Sequence, residues 1–181
     1  MKEHPKCSQP KRARSIVCGL VVTFVVASAL SASTTADSGP VHLETTVDAP
    51  VAEVWKVWTT EEGLRSFLAP EVNMRLEVGG PFEVYFDPTV PEGSRGSEGS
   101  IVLAFEEESM LSFTWNAPPS IPEIRKQRTH VTVRFYSLGE KQTKVTLDHD
   151  GWGRSAEWMN TRAYFEKAWG TFVLPNLRKR F

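Results

Sequence analysis

Asp148, His149 and Asp150 stand in a row near the end of the chain, in the stretch LDHDGWG at 147–153. Two carboxylates beside an imidazole are the donor types of a metal centre or of general acid–base work. Spacing decides what they can do together. On an extended strand successive side chains point to opposite faces, so Asp148 faces outward while His149 continues the inward row of Val145 and Leu147. The three cannot converge on one ion unless the strand ends by Asp150, and Gly151 and Gly153 mark that end. Asp150 then reads as a turn-shaping residue that accepts from nearby backbone N–H groups. His42 and His130 fall on outward faces, so no histidine cluster forms, and neither a metal nor another cofactor is expected. An inward His149 has two readings. It can donate to a ligand carbonyl or act as a base, or it can bond a backbone carbonyl or water at the sheet edge, since a buried imidazole needs a partner.

The other candidate residues are apolar. Met74, Phe113, Trp115 and Phe135 lie on predicted strands, and Trp158, Phe165 and Trp169 on a predicted helix. With His149 they form the expected ligand-binding set. Such rings can wall a pocket for a flat or lipid-like molecule or simply fill the core, because each buries about 150–250 Å². No nucleophile motif, glycine-rich phosphate loop or carboxylate pair is present, and no catalytic residue is assigned.

Period-two alternation positions these residues. It predicts strands at VHLETTV (41–47), VNMRLEV (72–78), FEVYF (82–86), IVLAF (101–105), LSFTW (111–115), VTVRF (131–135) and KVTLDH (144–149). Each has one apolar face, with Ile101, Leu103 and Phe105 forming that of the fourth. Gly79 and Gly80 mark a hairpin. Seven such strands make one antiparallel sheet covered on a single side. Two segments have helical spacing instead. Val51, Val54, Trp55 and Trp58 follow Pro50, which suits a first helical turn; Thr59 with Glu62 forms a capping box for a second short helix. From Ser155 the stripe Trp158, Arg162, Phe165, Trp169 and Phe172 predicts a long amphipathic helix, loosened near Pro175. The stretches 88–99 and 116–127, rich in Pro, Gly or Ser, read as surface loops. The long last helix is the one element large enough to cover the sheet, and the short helix pair closes one end.

The N-terminus differs from the rest. Lys2, Lys6, Lys11, Arg12 and Arg14 precede an uncharged run, SIVCGLVVTFVVASAL, and then small residues. These are the three parts of a secretory signal peptide, with Thr34 and Ala36 fitting a cut before Asp37. The alternative is a retained anchor over 16–32, although its apolar run is shorter than the roughly 20 residues needed to span a bilayer. The expected organisation is a signal peptide over 1–36 and one domain over 37–181, placed in the periplasm or outside the cell. That domain carries 16 basic against 21 acidic residues, a formal charge of −5. An acidic domain repels phosphate backbones, which argues against nucleic acid; a membrane partner enters only through an uncleaved leader. Both cysteines, Cys7 and Cys18, lie in the leader, so the domain stands on its core alone.

The order β–α–α–β–β–β–β–β–β–α and several motifs resemble the START-like (Bet v 1-like, SRPBCC) superfamily, in its branch named after the activator of heat-shock-protein ATPase. The carriers are DAPVAEVWKVWTTEEGLRSFLAPE at 48–71, VGGPFEVYF at 78–86, and VTLDHDGWG at 145–153 followed by YFEKAWGTFVLPNL. Many relatives have a tryptophan near the position of Phe67. The resemblance implies an α+β helix-grip fold: a curved antiparallel sheet of about seven strands wrapped around a long C-terminal helix, with an internal cavity that relatives use for apolar small molecules or a surface that binds a chaperone. The expected function is an exported domain holding a small apolar ligand between sheet and helix, without catalysis. One alternative is an enzyme of cyclase or hydrolase type acting on an aromatic or polyketide-like molecule, which needs a second polar group such as Tyr85 or Arg162 converging on His149. Another is an interaction domain whose cavity is closed.

Overall fold

A computed structural model describes residue 1 and residues 39–181. The expected leader, its two cysteines and the cut near Ala36 lie outside the described residues. In chain order the elements are β1 (Val41–Val47), α1 (Val51–Thr59), α2 (Glu61–Phe67), β2 (Glu71–Met74), β3 (Phe82–Tyr85), β4 (Val102–Glu106), β5 (Met110–Trp115), α3 (Pro122–Arg125), β6 (Thr129–Ser137), β7 (Thr143–Asp150), α4 (Ala156–Ala168), a π-helical turn (Trp169–Val173) and α5 (Leu174–Arg180).

The alternating segments become strands, but in two sheets. Five run antiparallel in the order β1-β7-β6-β5-β4, and β2 with β3 forms a separate hairpin. Around the Pro81–Ile101 pair the hairpin is tied to the edge of the larger sheet: Gly79 N–H donates to the Val102 carbonyl, Val102 N–H to the Gly80 carbonyl and Phe82 N–H to the Ser100 carbonyl. The strand expected over 72–78 stops at Met74. Gly79 turns with φ +82°, and Val78 is exposed.

In the large sheet the inward rows close completely: Leu111, Phe113, Val131, Val133, Val145 and Leu147 are 0% exposed. Burying each such side chain contributes roughly 1.5–3 kcal/mol. The expected face of β4 is reversed. Val102, paired with Phe113, is the buried residue, while Ile101, Leu103 and Phe105 are 38–39% exposed. An irregularity between Val102 and Ala104 shifts the register there, as a β-bulge does.

At the start of α2 the cap is Thr60, not Thr59. Thr60 is extended and its hydroxyl accepts from the Gly63 N–H at 3.1 Å. The Thr59 hydroxyl is still inside α1 and donates to the Trp55 carbonyl at 2.8 Å. Trp55 and Trp58 carry α1 onto the core, edge-on to Phe135 at 5.5 Å and to Phe67 at 5.1 Å.

The closing helix behaves as predicted up to Trp169. Ser155 caps it, accepting from the Trp158 N–H. Phe165 and Trp169 then face the sheet and join its core. Pro175 has no N–H, so the Thr171 carbonyl lacks its donor four residues on. The Leu174 N–H instead reaches the Trp169 carbonyl, five residues back. The extra residue in that turn moves the buried stripe by one position. Val173 and Leu177 are buried, and Phe172, expected on the stripe, is 51% exposed. The stretch 116–127, expected as loop throughout, contains α3. No helix among the described residues is long and apolar enough to cross a membrane.

Candidate functional site

His149 lies at the centre of the space between sheet and closing helix, fully buried. The indole of Trp169, a donor only, gives its Nε1–H to His149 Nδ1 at 2.9 Å. The proton of the imidazole therefore sits on Nε2, which donates to Thr129 Oγ1 at 2.8 Å. Thr129 Oγ1 donates in turn to the Trp115 carbonyl at 3.3 Å. Trp152 Nε1 donates to the His149 carbonyl at 2.8 Å. Both ring nitrogens are thus satisfied by protein side chains rather than by the backbone carbonyl or water foreseen from sequence. Burial, with a smaller contribution from His130, lowers the His149 pKa to about 3, so the ring is neutral. A neutral imidazole with no open nitrogen is a structural strut between sheet and helix. It has no free valence for a ligand or for a proton transfer. Tyr85 and Arg162 do not join it: the Tyr85 hydroxyl donates to Glu83 at 2.8 Å, and Arg162 donates to the Gly39 carbonyl at 3.0 Å and to Glu166 at 3.3 Å.

The aromatic candidates mostly fill space. Phe113 stacks on Phe82 with centroids 3.9 Å apart. Met74 and Phe135 belong to the same central core. Trp158 anchors a smaller cluster with Ala117 and Ile124. Trp169 tilts against Trp115 at 5.3 Å. Among the described residues, Trp58 Nε1 and Ser100 Oγ are the buried side-chain polar atoms left without a partner.

The outward face carries a different constellation, unseen in the sequence. Ser112 Oγ on β5 lies 2.6 Å from His130 Nε2 on β6, and His130 Nδ1 lies 3.0 Å from Asp150 Oδ1 on β7. This is the connectivity of a nucleophile, a base and an orienting carboxylate. Acyl transfer also needs donors for the developing oxyanion and a concave site. Here β5, β6 and β7 each have partners on both sides, so their backbone N–H groups are engaged in ladders. The face is an open sheet surface and Ser112 is only 6% exposed. The row is a cross-strand polar network. Asp148, the other carboxylate of the opening run, pairs with His42 at 2.6 Å. Gly151 ends β7 at φ +86°, and Asp150 bonds His130 rather than the turn backbone expected for it. No group of three or more His, Cys, Asp or Glu among the described residues could hold a metal ion.

A hollow of about 200 Å³ opens where the sheet meets the closing helix. Two of the expected residues, Trp115 and Phe165, wall it, joined by Phe86, Tyr164 and the loop residues 94–97 and 116–119. Phe86 and Tyr164 are half exposed at its lip. One cluster of hydrogen bonds joins the two rim loops. Arg125 donates to the carbonyls of Gly93, Gly96 and Ala117 and to Glu98 at 2.8 Å. Glu98 also accepts from the N–H groups of Gly93, Arg95 and Gly96. Burial alone would raise the Glu98 pKa; these bonds and the Arg125 charge overcome it and hold the carboxyl below its usual range. The two side chains are 12% and 14% exposed. Gly96 permits the closeness, since an added Cβ would lie 1.8 Å from the Val84 carbonyl oxygen. Neither loop shows apolar periodicity, and Glu98 and Arg125 are too distant in sequence to reveal their pairing.

Solved structures share this architecture. A protein from Mesorhizobium loti aligns with TM-score 0.62 and 19% identity over 78% of this chain and 95% of its own. One from Bacillus halodurans gives 0.58 and 24% over 78% and 95%. An HSP90 activator from Plasmodium falciparum gives 0.55 and 20% over 75% and 92%. No curated protein matches the sequence. The model of one family, Activator of Hsp90 ATPase homolog 1-like protein, matches residues 48–181. With that match over most of its length, and with a helix-grip fold, the chain belongs to the Activator of Hsp90 ATPase homolog 1-like family.

Proposed function

We propose that this domain binds a small, mainly apolar molecule at the mouth of the grip, without catalysis. The observation that carries this reading is the 200 Å³ hollow walled by Trp115 and Phe165, with Phe86 and Tyr164 at its lip and a clamped rim. Its size is below the roughly 300–1,000 Å³ of drug-sized pockets, which suits a ligand of one or two rings. The enclosed His149 supports a non-catalytic role, because both its nitrogens are occupied. We also read residues 1–36 as an export leader that delivers the domain outside the cytoplasm.

The test is titration with 2-naphthol, followed by amide NMR shifts. Shifts confined to residues 94–97, 115–119 and 164–165, and lost in Phe86→Ser and Tyr164→Ser, are expected. Both substitutions are at half-exposed positions, so folding is retained. Absence of binding, or binding indifferent to both changes, would overturn the ligand site. Export is tested separately by the intact mass of protein recovered from the medium or periplasm: full-length mass confined to the cytosol refutes it.

A further inference from the structure

Beyond the mouth, a second hollow runs between α2 and the last turns of the closing helix. It is an open groove of about 680 Å³. Phe67, Leu68, Ala69 and Pro70 give it an apolar floor, and two exposed rings, Phe86 and Phe172, stand along it. Phe172 is there because of the π turn: in an uninterrupted α-helix its position would continue the buried stripe. A π turn costs helix regularity, and such turns are frequent at functional sites.

The charges are one-sided. Arg65, Lys179 and Arg180 line the groove and no carboxylate does, in a domain whose residues 37–181 total −5. Arg65 is partly neutralised by Glu61 at 2.6 Å. Arg180 Nε donates to Ser66 Oγ at 3.2 Å, a neutral partner. The Lys179 side chain has no hydrogen bond or ion pair among the described residues. An apolar trough ending in uncompensated cations matches a molecule with a hydrocarbon body and an anionic head.

We propose that this groove binds an anionic amphiphile, a free single-chain carboxylate whose chain lies over Phe67–Pro70 between the two rings and whose head meets Lys179 and Arg180. The groove shares Phe86 with the mouth pocket, but the assignment goes beyond that pocket and does not require a ligand there.

Decanoate, decanol and decyltrimethylammonium, titrated separately below their aggregation limits with NMR readout, test the proposal. Decanoate is expected to bind about tenfold more tightly than decanol and to weaken as salt rises. Decyltrimethylammonium is expected to be the weakest. Lys179→Gln with Arg180→Gln should lower decanoate affinity about fivefold and leave decanol unchanged; Phe172→Ser should weaken both. All three positions are exposed, so the fold is preserved. Equal binding of acid and alcohol overturns the anionic assignment. Shifts mapping to residues 94–97 and 164–165 overturn the location and assign the chain to the mouth. Recruitment to phosphatidylglycerol vesicles without binding of free decanoate overturns it in favour of a membrane surface. No binding of any of the three at millimolar concentration ends the proposal while leaving the naphthol result to stand or fall by itself.

Discussion

His149 and His130 sit on neighbouring strands of one sheet, yet they live on opposite faces and have opposite fates. His149 is sealed between the sheet and the closing helix, neutral, with Trp169 and Thr129 on its two nitrogens. His130 lies on the outer face between Ser112 and Asp150, its side chain 39% exposed. The buried ring has no freedom left for chemistry. The outer one has the partners of a catalytic base but no enclosed site in which to act. Residue type and even connectivity are therefore insufficient; the solvent and the concavity around a group decide what it does.

The largest difference should appear on truncation. His149→Ala leaves the Trp169 donor and Thr129 without their partner and opens a cavity, a combined cost of about 3–5 kcal/mol readable in urea denaturation. A loss under about 1 kcal/mol would show that the relay is dispensable and would collapse the contrast. The same residue predicts an acid sensitivity. Its folded pKa is depressed to about 3, against about 6.5 for an unfolded chain. The unfolded state therefore takes up a proton between these values that the folded state refuses. Stability is full above about pH 6.5 and falls as pH drops toward 3. Carboxylates held below their usual range, such as Glu98 and Glu83, add to the fall lower in this window. The wild-type slope minus that of His149→Gln isolates the imidazole, and an unchanged slope would refute its burial as neutral.

Thr129→Val is a milder cut. It removes the acceptor for Nε2–H and should cost about 1–3 kcal/mol, with little change in the Trp169 bond. The smallest effects belong to the outer face. Ser112→Ala and His130→Ala should each change stability by at most about 1 kcal/mol. Neither should alter 2-naphthol binding. A serine-directed phosphonate that labelled Ser112 of the wild type but not of His130→Ala would overturn the view of this row as a passive network.

Much of the fold was legible because alternation reports which face of a strand is wet. VTVRF and KVTLDH interleave apolar with polar residues, and their inward rows are buried as read. IVLAF is apolar on both parities, so it carries no such information. Its true register came from pairing with β5 and from the bulge. The closing helix was readable for the same reason as far as Trp169; beyond it, Pro175 acts on a hydrogen bond four residues earlier and moves Phe172 outward. Of the eight expected site residues, Trp115 and Phe165 wall the mouth hollow, while Met74, Phe113, Phe135, Trp158 and Trp169 fill core and His149 braces it. A sequence shows which side chains avoid water. It does not show which of them meet each other and which leave a gap.

By itself the amino-acid order determined most element types, the buried face of most strands, the stripe of the last helix as far as Trp169 and the acidic character of residues 37–181. These follow from local periodicity and composition, which act over a few residues at a time. The tautomer of His149, the Glu98–Arg125 clamp, the Ser112–His130–Asp150 row and the two hollows were decided only by tertiary structure. Each depends on groups far apart along the chain brought within hydrogen-bonding or van der Waals distance, where short-range forces begin to operate.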